Sequence, residues 1–234
     1  MARNRRPKAP RSPHPITGDV LASVLALLDR AGLVCASRVC KEWQAAGSSD
    51  SLWRALVEEE WANKSFVPST CRHICAEGDA RAALRLSLEA GRATTIDAAT
   101  LSAQQWWFRF KGAAGRAWTR QDPWWTGVEA SRVCFMPDGR VSWMQRFDAD
   151  VMRWKLSVRG GVSVLRITHD ELGTFPGHIL VRASDWGFIW LSPWVVYASF
   201  PLDRAFDGKE VRDKTLNRSL KAWQWREVDR YNEE

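Results

Sequence analysis

The chain has 234 residues, 45% of them hydrophobic, with fifteen tryptophans, five cysteines and a formal net charge of +7. That length buries one sizeable core or two modest ones; of the charge, Arg3, Arg5, Arg6, Lys8 and Arg11 supply +5 before the first acidic residue, Asp19, leaving +2 for the rest. A basic arm on a near-balanced body argues against a phosphate-tracking nucleic-acid groove, widely spaced cysteines argue against a disulfide framework, and no apolar run of bilayer-spanning length escapes a charge.

Taken in chain order, residues 1–15 combine arginine with Pro7, Pro10, Pro13 and Pro15 and are expected to be a disordered arm. The prolines oppose both a signal peptide and the amphipathic helix of a transit peptide, so a soluble chain of a reducing compartment, cytoplasmic or nuclear, is expected. From Asp19, placed to cap a first turn, Leu21, Val24, Leu25 and Leu28 fall at i, i+3, i+4 and i+7. Val20, Val24 and Leu27 form a second stripe beside the first. A helix apolar on two sides is buried on two sides. The next pattern predicts a helix over 31–46 that stops at a left-handed Gly47, with Leu33, Ala36, Cys40 and Trp43 on one stripe and Val34 and Val39 off it. A third helix, from Ser49 or Asp50, sets Leu52 with Leu56, and Trp53 with Val57 and Trp61. So small a three-helix unit has little interior, and its surplus apolar surface requires something to cover it.

Residues 71–91 predict one helix or two, broken at Glu77, Gly78 and Asp79, and Ser102 is placed to cap a short helix carrying Trp106, Trp107 and Phe110. Beyond Trp125 the period changes to two. Val133 and Phe135, a Pro137-Asp138-Gly139 turn, and Val141 and Trp143 predict a hairpin; Met152, Trp154, Leu156 and Val158, a Gly160-Gly161 turn, and the run from Val162 to Thr168 predict another. Apolar runs at 179–183, 188–191 and 194–200 continue the pattern, and a final strand is read between Leu216 and Tyr231. The expectation is an α+β protein: an N-terminal three-helix domain and helical spacer, then about seven strands in a C-terminal antiparallel β meander or small β-barrel. The boundaries fall at 1–15 for the arm, 16–63 for the helical domain, 64–101 for the spacer and 102–234 for the Trp-rich β domain.

Ile16-Thr17-Gly18-Asp19-Val20-Leu21, then Leu33, then Val39-Cys40-Lys41-Glu42-Trp43, then Leu52-Trp53-Arg54, resemble the F-box. That family's pattern runs Leu-Pro-x-Asp, apolar positions, Val-Cys-x-x-Trp and a terminal Leu-Trp. The likeness covers residues 16–61, with Ile16 and Thr17 standing where the family has Leu-Pro. It implies docking on the Skp-type adaptor of a cullin-based SCF ubiquitin ligase and presentation of a protein substrate by the domain that follows. Carried over by position, Ile16, Thr17, Val20, Leu21 and Val24 would lie at or near the adaptor, with Leu33, Val39, Leu52 and Trp53 forming or supporting that face. The Trp-rich segments, such as Asp122-Pro123-Trp124-Trp125 and Phe135-Met136-Pro137-Asp138-Gly139, resemble a β module that follows the F-box in other proteins. No activity comes with that second likeness. The bland alternative is that the helical stripes pack on residues 71–91 and need no partner.

Twelve of the tryptophans lie at or after Trp106, which marks an aromatic core; Trp124, Trp125 and Trp186, in turn-rich segments, are the candidates for substrate binding. Cys71, His73 and Cys75 do not share one helical face and no second ligand pair follows, so no metal is expected. No nucleophile elbow or phosphate-cradling loop is present, His169-Asp170-Glu171 reads as a solvated turn, and no catalysis and no cofactor are expected. Arg153, Lys155, Arg159 and Arg166 supply charge on strands whose aromatics face the other way, unlike a nucleic-acid platform. The remaining alternative is a β-barrel that binds a small ligand, or acts on one, with the helices as an interaction module.

Overall fold

The computed structural model describes residues 18–143 and 151–202. They fall into two compact units, one of residues 18–60 and 73–84, the other of 61–72 and 85–202. The basic arm at 1–15 and the strand expected between Leu216 and Tyr231 lie outside the described residues.

The first unit is helical. α1 (Gly18–Leu25), with Asp19 inside its first turn, buries Leu21 and Leu25, one helical turn apart. α2 (Arg30–Ala36) starts at Asp29, whose carboxylate accepts the Gly32 N–H at 2.7 Å. The single helix expected over 31–46 is two. α2 ends at Ala36, and α3 (Lys41–Gly47) starts afresh after Cys40, which is extended at φ −158°. Ser37 draws the chain into the break: its N–H and its Oγ both bond back to Leu33 O, the latter at 2.7 Å. Gly47 ends α3 without a left-handed turn and packs against Ser37, whose hydroxyl would have to shift to admit a Cβ.

α4 (Asp50–Trp61) begins where the sequence places it and buries Trp53 and Val57. Trp53 Nε1 donates to Gly47 O at 2.8 Å, and the Arg81 guanidinium lies 5.0 Å from its ring centre. Asp50 accepts the Ala80 N–H at 2.8 Å and Arg54 Nη2 at 2.9 Å, and Arg54 donates on to Cys75 O. The run at 71–91 is two helices, α5 (Ser69–Ala76) and α6 (Ala80–Arg92), with Gly78 between them at φ +94°.

In the second unit α7 (Ala98–Ala103) is capped by Asp97, which accepts the Thr100 N–H at 2.6 Å, rather than by Ser102. Trp106, Trp107 and Phe110, expected on a helix, form β1 (Trp106–Phe110), paired along both edges. Two ladders and the ease with which aromatics lie on a pleated surface outweigh a short helical spacing. After a short helix, α8 (Arg116–Thr119), come β2 (Ser131–Phe135), β3 (Val141–Trp143), β4 (Met152–Arg159), β5 (Val162–His169), β6 (Gly173–Thr174), β7 (His178–Arg182), β8 (Phe188–Leu191) and β9 (Val195–Ala198). The two expected hairpins are present, and Gly160 and Gly161 turn the second at φ +55° and +80°.

The sheet runs β3-β2-β1-β9-β8-β7-β5-β4, with β6 on β5, and its described pairs are all antiparallel. It is a meander closed on itself, the first strand pairing with the last described one. The ends nearly meet: Arg140 bridges to Arg153, and Trp154 N and Nε1 donate to Gly139 O and Met136 O at 2.7 and 2.9 Å. The result is a nearly closed barrel. Its interior is an aromatic cluster including Trp106, Phe108, Phe135, Phe188, Trp190 and Tyr197. A second cluster, with Ile179, Val181, Ile189 and Val196, covers the opposite face of the same strands, which is why β7 and β8 are buried throughout.

Gly91 supports this unit at a tight point, since a Cβ there would lie 2.7 Å from the Trp186 ring. Gly91→Ala should therefore lower unfolding stability by about 1–3 kcal/mol. Gly18→Ala, with nothing within 4 Å of the added carbon, should change it by less than about 0.5 kcal/mol. Urea denaturation of the two variants checks the contrast.

Candidate functional site

Two features stand out, one in each unit. On α1, the stripe beside the buried Leu21 and Leu25 carries Val20 at 53% and Val24 at 42% exposure, and the turn that follows carries Leu27 at 87%. The helical bonding runs on past Leu25, with Ala26 N to Ala22 O and Leu27 N to Val24 O, so Val20, Val24 and Leu27 keep the i, i+4, i+7 spacing of one face. Val39, in the turn that Ser37 opens, is 67% exposed. An apolar stripe left in water is the mark of a surface meant to be covered.

The other residues expected on that face divide between contact and support. Leu21, Leu33 and Trp53 are buried within their own unit and hold α1, α2 and α4 in place. Leu52 is half-buried. Ile16 and Thr17 lie outside the described residues. Leu27, absent from the residues expected at the partner, is the most exposed of the apolar set; its position on the second stripe was the available signal.

At one end of the barrel is a cavity of about 230 Å³, walled by Phe108, Phe110, Trp143, Phe175 and Tyr197. Trp118, Leu172 and Trp194 stand at its exposed rim. His178, on β7, reaches it from within the sheet and is 2% exposed. Its Nδ1 lies 3.4 Å from Leu165 O, which can only accept, so Nδ1 carries the hydrogen. Nε2 is then a bare acceptor, and it is buried with no partner. Burial holds the ring neutral, pushing its pKa down to about 4 from the ordinary 6.5. Burial also pushes the Tyr197 phenol up, so it stays protonated. Asp122 lines the cavity too, with its carboxylate accepting the Phe110 and Trp124 N–H groups at 2.6 and 3.0 Å.

The three tryptophans expected to bind substrate are not among the cavity's lining. Trp124 is half-buried beneath the Arg109 guanidinium, 4.2 Å from its ring centre. Trp125 is 45% exposed and donates to Phe110 O at 2.9 Å. Trp186 is buried with Val67 and Cys71, at a positive φ of 65°, with Lys64 Nζ 4.9 Å from its ring centre. The cavity itself went unseen in the sequence, because its walls come from β1, β3, β7 and β9, far apart along the chain.

His73 is exposed and lies 3.1 Å from Glu77, away from the buried Cys71 and Cys75, and no group of three or more His, Cys, Asp or Glu among the described residues is placed to hold a metal ion. His169 Nδ1 accepts the N–H groups of Glu171 and Leu172, so that tripeptide is a turn held by its own side chain. No described helix is long and apolar enough to cross a membrane.

Residues 19–59 match the F-box-like family model. No curated protein and no solved structure matches the chain.

The buried His178 gives the fold an acid sensitivity of definite sign. Unfolded, the ring gains its proton near pH 6.5; folded, only near pH 4. The stabilising contribution is thus complete above pH 6.5 and is lost as pH falls towards 4. About 2 kcal/mol should disappear between pH 7 and pH 5. Carboxylates with lowered pKa values, such as Asp97 and Asp138, lose their contribution only at lower pH. His178→Phe should remove this part of the slope, as urea unfolding at pH 7 and pH 5 will measure.

Proposed function

With an F-box-like domain at residues 19–59 as the premise, we propose that the chain is the substrate-recognition subunit of an SCF-type cullin ubiquitin ligase. The observation that carries the proposal is the exposed Val20, Val24 and Leu27 stripe, on a helix whose other side already fills its own core. Val39, exposed in the next turn, adds to the available apolar surface. Covering these side chains with a Skp-type adaptor would remove from water area worth about 25 cal/mol per Å², a gain that has to exceed the cost of association. Leu21, Leu33 and Trp53 contribute by keeping the stripe's backbone fixed.

On this reading the barrel presents a protein substrate, and Trp125, exposed at 45%, is the most accessible of the tryptophans first assigned to that task. The chain's own role is proximity. A target held near the ligase's conjugating partner has its lysines at raised effective concentration, and the bond-making chemistry belongs to that partner. The complex would assemble in the cytoplasm or nucleus, in keeping with five free cysteines.

Val20→Asp combined with Val24→Asp tests the docking. Both positions are exposed, so the thermal midpoint should hold, while affinity for a purified Skp-type adaptor should fall at least about a hundredfold, because two carboxylates would have to be buried where methyl groups were. Equal affinity of wild type and variant by calorimetry, or no binding by either, removes the proposal.

A further inference from the structure

A ligand site in the barrel cavity goes beyond adaptor docking and does not rest on it. Among the described residues its walls are aromatic: Phe108 stands 4.9 Å from Phe110 and 4.4 Å from Trp143, ring centre to ring centre, both edge to face. Such walls receive another flat ring in the same manner.

Most of the polar side chains on the cavity are already engaged. Asp122 accepts the Phe110 and Trp124 N–H groups, Ser192 Oγ accepts the Val195 N–H at 3.0 Å, and His169 Nδ1 accepts from Glu171 and Leu172. Gln121 and Ser131 have partners of their own. His178 Nε2 and Trp143 Nε1 are sealed off from the space. Tyr197 differs from all of these. It is 3% exposed, and its ring is wedged between Phe108 at 5.1 Å, Phe135 at 5.6 Å and His178 at 5.2 Å. Its hydroxyl makes no hydrogen bond to the described residues, yet it is not sealed as the two nitrogens are, and the little surface the residue keeps belongs to the cavity.

Buried polar groups are nearly always paired, so a clamped phenol whose hydroxyl opens unpaired into a cavity points to a ligand that pairs with it. A phenol gives its hydrogen more readily than it accepts one, which asks for an oxygen acceptor on the ligand. The burial that pushes the Tyr197 phenol well above its ordinary pKa resists negative charge at that atom, whether it sits on the phenol or on a ligand beside it. The acceptor is therefore neutral. The size agrees, since an engineered apolar cavity of roughly 150 Å³ holds benzene and this one, at about 230 Å³, has room for a ring with a short substituent.

We propose that this cavity binds a small neutral aryl carbonyl compound, its ring packed among Phe108, Phe110 and Trp143 and its oxygen accepting the hydrogen of Tyr197 Oη. The β domain is then a ligand receptor in addition to any part it plays in substrate capture.

Chemical-shift titration of the full chain by NMR at pH 7.5 tests this with four probes: acetophenone, α-methylstyrene, benzoate and N-acetylphenylalaninamide. Acetophenone should bind with Kd on the order of 0.1 mM, reasonable for its size. Tyr197→Phe keeps the ring and removes a hydroxyl that bonds nothing in the chain, so the fold should hold; it should weaken acetophenone roughly fivefold to tenfold and leave α-methylstyrene, which has a methylene in place of the oxygen, unchanged. Benzoate should bind at least about tenfold more weakly than acetophenone. N-Acetylphenylalaninamide, standing for the side chain of a captured protein, should also be weaker, because its ring carries no oxygen. If the variant fails to fold, the infrared carbonyl band of acetophenone bound to the wild type decides: it should lie below its position in hexane, as a hydrogen-bonded carbonyl does. Absence of acetophenone binding up to several millimolar, equal loss of both neutral ligands in the variant, or a bound carbonyl band at the hexane position overturns the proposal. Benzoate binding as tightly as acetophenone overturns the neutral assignment, and N-acetylphenylalaninamide doing so overturns the free-ligand one. Adaptor binding by the same protein is measured separately, so failure of either reading leaves the other intact.

Discussion

The β unit depends on the pairing of β1 with β9. Trp107 to Phe110 of one lie opposite Val195 to Ala198 of the other, and this ladder joins strands almost ninety positions apart in the chain. Without it the runs β3-β2-β1 and β9-β8-β7-β5-β4 meet, among the described residues, only through the Arg140–Arg153 bridge and the bonds of Trp154. With it, Trp106 comes within 6.2 Å of Trp190 and Phe108 within 5.1 Å of Tyr197, and the interior has contents. Bringing such distant segments together carries a loop-closure cost, and the burial of several large aromatics is what offsets it. Six indole N–H groups, those of Trp53, Trp61, Trp106, Trp107, Trp125 and Trp154, find acceptors within the chain, so tryptophan serves here largely as a structural residue with one satisfiable polar atom.

The helical unit obeys a different constraint, the break at Ser37. Had 31–46 formed one helix, Val39 would have sat in the middle of it. Because Ser37 turns back on Leu33 and Cys40 is extended, Val39 is instead set out in a turn, and α3 packs its Gly47 directly on Ser37. The same small unit thus buries Leu33 and leaves Val39 exposed. Stability and a surplus apolar surface have been separated onto different residues.

What the sequence made legible follows from range. Helical stripes and hairpins are local, and α1, α4, the α5–α6 break and both hairpins stand close to where period and turn residues put them. The surplus stripe of Val20, Val24 and Leu27 was readable for the same reason, since amphipathicity on two sides is a property of eight consecutive residues. β1 was misread because Trp106, Trp107 and Phe110 satisfy a helical spacing as well as an extended one, and only its partners 131–133 and 195–198 decide between them. The cavity belongs to the same class of non-local fact. His178 likewise takes its orientation from a distant residue, the carbonyl of Leu165 on the neighbouring strand.

Trp143 and Met152, both on the cavity wall, belong to β3 and β4, two strands that among the described residues are joined by one bridge and two bonds of Trp154. Every other neighbouring pair along the sheet is held by a ladder of two or more register partners. Local opening follows the fewest bonds that must break. Among the described residues, the seam with the fewest bonds thus runs along the wall of the barrel's own cavity.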